Sequence, residues 1–273
     1  MLHREVSESR ITRFRLLHES GCFVMPNPWD IGSARLLVRL GFPALATTSA
    51  GFAWTIGKQD NHVTLEEALA HLRTMSAAVD LPINADFEGA FAVDAETAGK
   101  NIGAAARTGI AGVSIEDSSG DAENPLFDFA LSVERVRAAR EAIDASGTGV
   151  VLTARSEGFI ANRPDLDETI RRLKAYADAG ADCLYAPGIR DHAQIKAVVD
   201  AVAPKPVNAL VSAPFATVAE IAALGVRRIS VGGAIARAAW GGAFEAAREI
   251  AEDGTFTALG RAINGLEVNG WFR

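Results

Sequence analysis

Leu81-Pro82-Ile83-Asn84-Ala85-Asp86-Phe87-Glu88-Gly89 is the stretch on which the reading of the fold turns. An apolar run opens it, and two carboxylates follow at alternate positions, Asp86 and Glu88. In an extended chain, alternate residues point to the same side. The pattern therefore predicts a short strand whose carboxyl end aims two acids at one spot. Like charges held together are costly unless a cation or a shared proton offsets them. Hard divalent cations take such oxygen ligands. A solvated turn after a strand, where Asp and Gly are common, is the competing reading.

The flanking sequence repeats the same unit. Upstream, residues 7–20 read as a helix, 22–25 as a strand, 31–40 as a helix capped by Asp30, and 44–47 as a strand. The segment Thr48-Ser49-Ala50-Gly51 reads as a loop, and Thr64 opens a helix to residue 79 with Glu67 at capping-box spacing. Downstream, helices are predicted over 94–108, 132–145, 165–179, 192–202, 217–224 and 235–250. They alternate with strands over 112–115, 150–153, 183–185, 207–210 and 228–231, and a tail helix covers 257–264. Gly41, Gly109, Gly147, Gly180 and Gly225 stop helices just before strands.

Such alternation implies a parallel sheet. Eight strand–helix units suit an α/β fold of the (β/α)8 barrel type, with extra N-terminal and C-terminal helices. A doubly wound open sheet would want a Gly-rich turn after its first strand, and Pro26-Asn27-Pro28 stands there instead. No linker divides the chain, so residues 1–273 are expected to form one domain.

Composition bounds the function. The chain has 273 residues, is 49% hydrophobic, and carries a net charge of -7 without a basic block. Nucleic acid is an unsuitable partner for such a surface. The charged start lacks the apolar segment of a signal peptide, and no apolar run approaches a membrane span, so a soluble cytoplasmic protein is expected. Cys22 and Cys183 sit among strand-like residues and read as buried free thiols. His3, His18, His62 and His71 are isolated in the sequence and read as surface or packing residues.

In a barrel, the residues following each strand converge on one face. That face would gather Asn27 and Trp29; Ser49, Ala50, Gly51 and Asp60; Asp86 and Glu88; Glu116 and Asp117; Arg155 and Glu157; Asn208; and Gly232-Gly233. The set is rich in acids and has one arginine. Arg155 can neutralise an acid, or bind a substrate carboxylate through its planar fork. Ser49-Ala50-Gly51 offers a hydroxyl and backbone N–H groups suited to an anion. A metal-assisted site for a small polyanionic acid is one reading. A purely structural pairing of Arg155 with Glu116 or Glu157 is the other.

Several stretches resemble the isocitrate lyase and phosphoenolpyruvate mutase superfamily over nearly the whole chain: PNPWDIGSARLL (26–37), TTSAGFAW (47–54), GKQD (57–60), NADFEGAFA (84–92), GVSIEDSSG (112–120), LTARSEGF (152–159) and PVNAL (206–210). The resemblance implies a barrel that binds magnesium, or manganese in its place, with a 2-oxo acid or its enolate. It implies Asp86 as the direct metal ligand, with Glu88 and Glu116 reaching the metal through water. Asp60, Arg155 and Glu116 become catalytic candidates. Trp29, Ser49, Ala50, Gly51, Arg155 and Asn208 become substrate-binding candidates. It also implies a homotetramer, a dimer of dimers, in which the C-terminal helices of about 233–273 are exchanged between subunits.

The departures matter as much. The family pattern Asp-x-Asp-x-Gly-aromatic-Gly here reads Asp86-Phe87-Glu88-Gly89-Ala90-Phe91-Ala92. The Lys-Lys-Cys-Gly-His of the isocitrate and methylisocitrate lyases, whose cysteine protonates the product enolate, is replaced by Asp117-Ser118-Ser119-Gly120-Asp121. The expected activity is therefore that of a magnesium-dependent lyase or decarboxylase on a small 2-oxo or 2-hydroxy di- or tricarboxylate. Phosphonopyruvate or carboxyphosphonoenolpyruvate chemistry is the alternative, and non-catalytic binding of a 2-oxo acid is a further one. Ser118, Ser119 or water would have to deliver the proton.

Overall fold

Residues 9–272 are described by the computed structural model of the chain, so the charged start with His3 lies outside the described residues. Helix α1 (Arg10–Leu17) leads to β1 (Phe23–Met25), α2 (Ile31–Arg39), β2 (Leu45–Ala46), α3 (Ser49–Thr55), α4 (Leu65–Ala78) and β3 (Ile83–Ala85). Then come α5 (Ala95–Ala106), β4 (Gly112–Glu116), α6 (Phe129–Ser146), β5 (Val151–Arg155), α7 (Leu166–Asp178) and β6 (Cys183–Tyr185). The chain ends with α8 (His192–Val202), β7 (Val207–Leu210), α9 (Val218–Ala223), β8 (Arg228–Ser230), α10 (Ala234–Asp253), a 3-10 turn (Thr257–Arg261) and α11 (Gly265–Gly270).

The helices start where the sequence supplies an oxygen acceptor. Asp30, Asp94, Asp165 and Asp191 cap α2, α5, α7 and α8. Thr64 with Glu67, and Thr217 with Glu220, form reciprocal capping boxes at α4 and α9. Two expectations need correction. Ser49-Ala50-Gly51 is not a loop but the first turn of α3, because Thr48 Oγ1 accepts from the Gly51 N–H and makes Thr48 a cap. Gly51 also lets α3 sit close to its neighbours: a Cβ there would meet Thr48 Cγ2 at 2.7 Å and Trp29 Cβ at 2.9 Å. The expected tail helix over 257–264 is a 3-10 turn followed by α11. The Glu249 carboxylate accepts from the N–H groups of Thr257 and Ala258, which folds this segment back onto α10.

All eight strands are parallel, in the order β1-β8-β7-β6-β5-β4-β3-β2. The circle is nearly closed. At the β1–β2 seam the Ala46 N–H donates to Pro26 O at 3.0 Å. Asn27 reinforces it: its amide donates to Thr47 O at 2.8 Å, while its oxygen accepts from Val231 and Gly232 N–H, each at 2.9 Å. One side chain thus ties the ends of β1, β2 and β8 together.

The strands alternate in character. Ala85, Val113, Ile115, Leu152, Ala154, Leu184, Val207, Ala209 and Ile229 join the main apolar core between strands and helices. The residues between them belong to the barrel interior, which is unusually polar: Asn84, Ser114, Thr153, Asn208, Arg228 and Ser230 are all buried. Barrel interiors are more often filled with branched aliphatic residues. Here the bottom is plugged by apolar side chains, mostly aromatic and small ones. Phe14 of α1 packs with Phe23, Met25, Ala111 and Val151. Gly112 makes room, since a Cβ there would come within 2.6 Å of the Phe14 ring. The middle of the barrel is left polar and hollow.

No helix among the described residues is long and apolar enough to cross a membrane. Of the 20 residues of α10, only Ala236 is buried, and Trp240 and Phe244 are 50% and 64% exposed.

Candidate active site

The hollow is a cavity of about 170 Å³ at the carboxyl ends of the strands. Of the residues singled out from sequence, Asn27, Ser49, Ala50, Asp60, Asp86, Arg155 and Asn208 line it, together with Gly232 and Gly233. The walls also include Asn84, Ser114, Tyr185, Arg228 and Ser230.

Arg155, at the end of β5, organises the mouth. Its Nη1 lies 2.7 Å from Asp86 Oδ1 and 3.0 Å from Glu116 Oε2, and its Nε lies 2.9 Å from Glu157 Oε1. Its guanidinium carbon also sits 5.2 Å from the centre of the Tyr185 ring. Burial works against the Arg155 charge, and the Glu116, Glu157 and Asp86 carboxylates more than offset it. The structural pairing expected as an alternative therefore exists, with Asp86 as a third partner at the cavity wall.

Asp86 is fully engaged. Its second oxygen accepts from the Ser49 N–H and the Ser49 hydroxyl, each at 3.1 Å, and its own N–H donates to Thr47 Oγ1 at 2.9 Å. The Ser49 donors thus face a carboxylate of the protein. The Gly232 N–H, just beyond β8, donates to Asn27 Oδ1 and is already spent.

Glu88 departs from the expected geometry. The chain beyond Ala85 is not extended there: Glu88, Ala90 and Phe91 all have positive φ, at 50°, 56° and 56°. A loop with three such non-glycine residues is strained and needs outside support. Arg135 and Asn101 give it. Arg135 donates to the carbonyls of Gly89, Ala92 and Val93, and Asn101 to that of Ala90. Glu88 is thereby turned into a small adjoining cavity, which it shares with Asp86, Ser49, Phe52 and His71. Its Oε1 is buried without a hydrogen-bond partner. Burial, followed by the charges of Asp86 and Asp60, pushes its carboxyl up to about 7.

The same causes act on its neighbours. Glu116 is held well above the usual carboxylate range by burial, with Glu157 and Asp86 adding to the rise. Asp60 is raised by burial and then by Asp86. Five carboxylates thus surround one arginine. Charge and donor chemistry fit a hard divalent cation, with Asp86, Glu88 and Glu116 as the oxygens to hold it. Yet among the described residues no three His, Cys, Asp or Glu side chains converge on one point. Arg155 occupies the inner oxygens of Asp86 and Glu116, so a cation would have to share them with it.

Other expected residues fall outside the cavity. Trp29 and Gly51 pack against each other behind the wall. Asp117 points into the helical layer, where it accepts from Glu157 N–H at 2.8 Å, Arg172 Nη1 at 3.1 Å and the Tyr176 hydroxyl at 2.6 Å. The strand-4 loop that follows closes on itself through a bridge between Ser118 and Leu126, and the Ser119 hydroxyl donates to Asn124 O at 2.5 Å. Neither Ser118 nor Ser119 lines the cavity.

Arg228 and Tyr185 were the notable omissions. Strand alternation would have found both. Asn208 and Arg228 are register partners, and Tyr185 pairs with Asn208 and Arg155.

The profile of the phosphoenolpyruvate phosphomutase family matches residues 14–251. An uncharacterized protein of Mycobacterium tuberculosis is 31% identical over 241 residues, covering 88% of this chain and 89% of its own. An oxaloacetate decarboxylase of Bradyrhizobium diazoefficiens is 30% identical over 193 residues, covering 68% of this chain and 65% of its own. A crystal structure from Burkholderia cenocepacia J2315, assigned provisionally to the lyases and mutases, is 47% identical, with a TM-score of 0.93 over 96% of each chain. With the profile matching most of the chain and the barrel shared with these structures, the chain belongs to the isocitrate lyase and phosphoenolpyruvate mutase superfamily, a group of lyases and mutases.

Proposed function

We propose that this chain is a carbon–carbon lyase or decarboxylase that acts on a small 2-oxo or 2-hydroxy dicarboxylate through an enolate, and that it depends on magnesium or manganese. The observation that carries the reading is Arg155, half-buried at the cavity wall and held in one orientation by Asp86, Glu116 and Glu157. A guanidinium fixed in this way is preorganised to meet charge that develops on a substrate oxygen. The divalent cation, when bound among Asp86, Glu88 and Glu116, would supply Lewis-acid polarisation of the 2-oxo group.

The residues of the chain account for the remaining steps. Arg155 orients the acid and spreads the enolate charge. Asp60, whose carboxyl burial and then Asp86 raise above its ordinary value, lies 3.5 Å from the Ser49 hydroxyl and is placed to hold or pass a proton at the mouth. Glu116 keeps Arg155 in place from behind. Neither Ser118 nor Ser119 lines the cavity, which favours a substrate whose enolate solvent can reprotonate. The oxaloacetate decarboxylase relative is consistent with this choice. Phosphonopyruvate chemistry gains no support at Gly232, since its N–H already serves Asn27.

Steady-state kinetics on oxaloacetate, methylisocitrate, isocitrate and phosphonopyruvate, with magnesium and with chelator, test the proposal. Magnesium-dependent loss of oxaloacetate with little cleavage of either isocitrate is the expected result, and Arg155→Lys should depress it by about tenfold or more, because an ammonium lacks the planar fork. Efficient isocitrate cleavage, or activity unaffected by chelator, would overturn it. Binding of the panel without turnover would favour a 2-oxo acid sensor.

A further inference from the structure

We propose that Arg228 reads the second negative charge of the substrate, and so makes the site selective for short dicarboxylates over monocarboxylates. This deepens the functional reading above and rests on it in taking the cavity as the substrate site. Arg228 lines the same cavity as Asp86 and Arg155, but from the floor. It opens β8 two residues before Ser230, while its partner Thr153 lies two residues before Arg155 on β5. Two strand residues rise about 6–7 Å, so the cationic floor lies about that far below the acidic mouth. A short diacid spans such a distance, whereas pyruvate has no second charge to place there.

The partners of Arg228 set it apart from the other buried arginines. Its Nε donates to Asn208 Oδ1 at 3.0 Å and its Nη2 to Thr153 Oγ1 at 3.0 Å, and its Nη1 lies 3.3 Å from His18 Nε2. All three partners are uncharged. His18 is held neutral, down to about 3, first by burial and then by Arg228 itself. Arg155 has three carboxylates and Arg172 has two, Asp117 and Glu168. Arg135 is spent on three loop carbonyls. Arg228 is 1% exposed, and no ion pair among the described residues includes it. A guanidinium has five N–H donors, and here three neutral groups meet it.

A buried charge without a counter-charge is costly, and an anion that reaches it relieves the cost. The cavity is therefore polarised along its length, with surplus carboxylates at the mouth and an uncompensated cation at the floor. With a divalent cation offsetting the mouth, a dicarboxylate has a favourable place for each end. A monocarboxylate satisfies only one of the two.

The test is calorimetric binding of succinate, malonate and pyruvate, in magnesium buffer, to the wild-type chain and to Arg228→Gln and Arg228→Lys, with circular dichroism as the check on folding. Arg228→Gln should weaken dicarboxylate binding by about tenfold or more and leave pyruvate within about threefold. Arg228→Lys, which keeps the charge on a different shape, should fall between the two. An unchanged dicarboxylate-to-pyruvate ratio in a folded variant overturns the proposal, and so does a uniform loss of all three ligands, which a merely structural role would give. If Arg228→Gln does not fold, the ratio in Arg228→Lys decides in the same way. A wild-type chain with no preference for dicarboxylates refutes the role of Arg228 even if oxaloacetate is turned over. A clear preference without turnover upholds it and refutes the lyase reading alone.

Discussion

Glu88 gives the most quantitative handle on the site. In the metal-free chain its carboxyl sits at about 7 against an ordinary 4.5, because burial, Asp86 and Asp60 all oppose its charge. A rise of this size corresponds to about 3 kcal/mol for a fully buried group, and partial solvent access reduces it to about 2 kcal/mol. The sign follows from proton binding. The folded state holds the proton more tightly than the unfolded state, so the penalty is absent below pH 4.5, grows as pH rises to about 7, and is constant above that. Glu88→Gln removes the titration while nearly keeping the shape. In urea unfolding with chelator present, the variant should match the wild type near pH 4 and exceed it by about 2 kcal/mol at pH 8. Adding magnesium should narrow or reverse the gap at pH 8, because the cation favours the ionised wild-type carboxylate. Equal stabilities at pH 8 without metal, or a gap that widens toward acid, would refute the argument that Glu88 carries an unmet charge.

Other perturbations probe different parts of the structure. Asp86→Ala should abolish magnesium binding by calorimetry, and unchanged affinity would remove Asp86 from the ligand set. Asp117→Ala leaves Arg172 and Tyr176 without their shared acceptor, and should cost about 3–5 kcal/mol in chemical denaturation while magnesium affinity stays near wild type. Asn27→Ala should cost about 1–3 kcal/mol, with faster hydrogen exchange at the Val231 and Gly232 amides, since both lose their acceptor. The nearly unburied α10, with Trp240 and Phe244 exposed, is expected to pack between subunits. Sedimentation should report a tetramer, which Trp240→Asp with Phe244→Asp should weaken; a wild-type monomer at micromolar concentration would count against exchange of the C-terminal helices.

Much of the fold was legible because local and global signals agree. Cys183–Tyr185, His192–Val202 and Val207–Leu210 stand where the apolar runs and Asp191 put them. The acids and Arg155 were legible from one rule, that strand ends converge. What escaped notice did so for physical reasons. Ser49-Ala50-Gly51 has the small residues of a loop, and only the Thr48 cap turns it into a helix. Glu88 was expected to follow strand alternation, but the alternation ends at Ala85, where contacts from Arg135 and Asn101, distant in sequence, take over the backbone. Arg228 follows Arg227, and two adjacent arginines suggest a solvated surface. In fact Arg227 bonds to Gly21 O outside the barrel, and Arg228 turns inward.

The two faces of each strand have separate duties here. On β4, β5, β7 and β8 every second residue packs against helices, and the residues between them include Ser114, Arg155, Asn208, Arg228 and Ser230, which line the hollow. Chemistry and architecture are thus written on interleaved positions that scarcely constrain each other. Variation at positions 84, 114, 208 and 230 would redraw the solvation and reach of the site while leaving the apolar shell intact. Such a barrel is free to drift among substrates: a lineage could exchange one acid for another by repainting its inner wall.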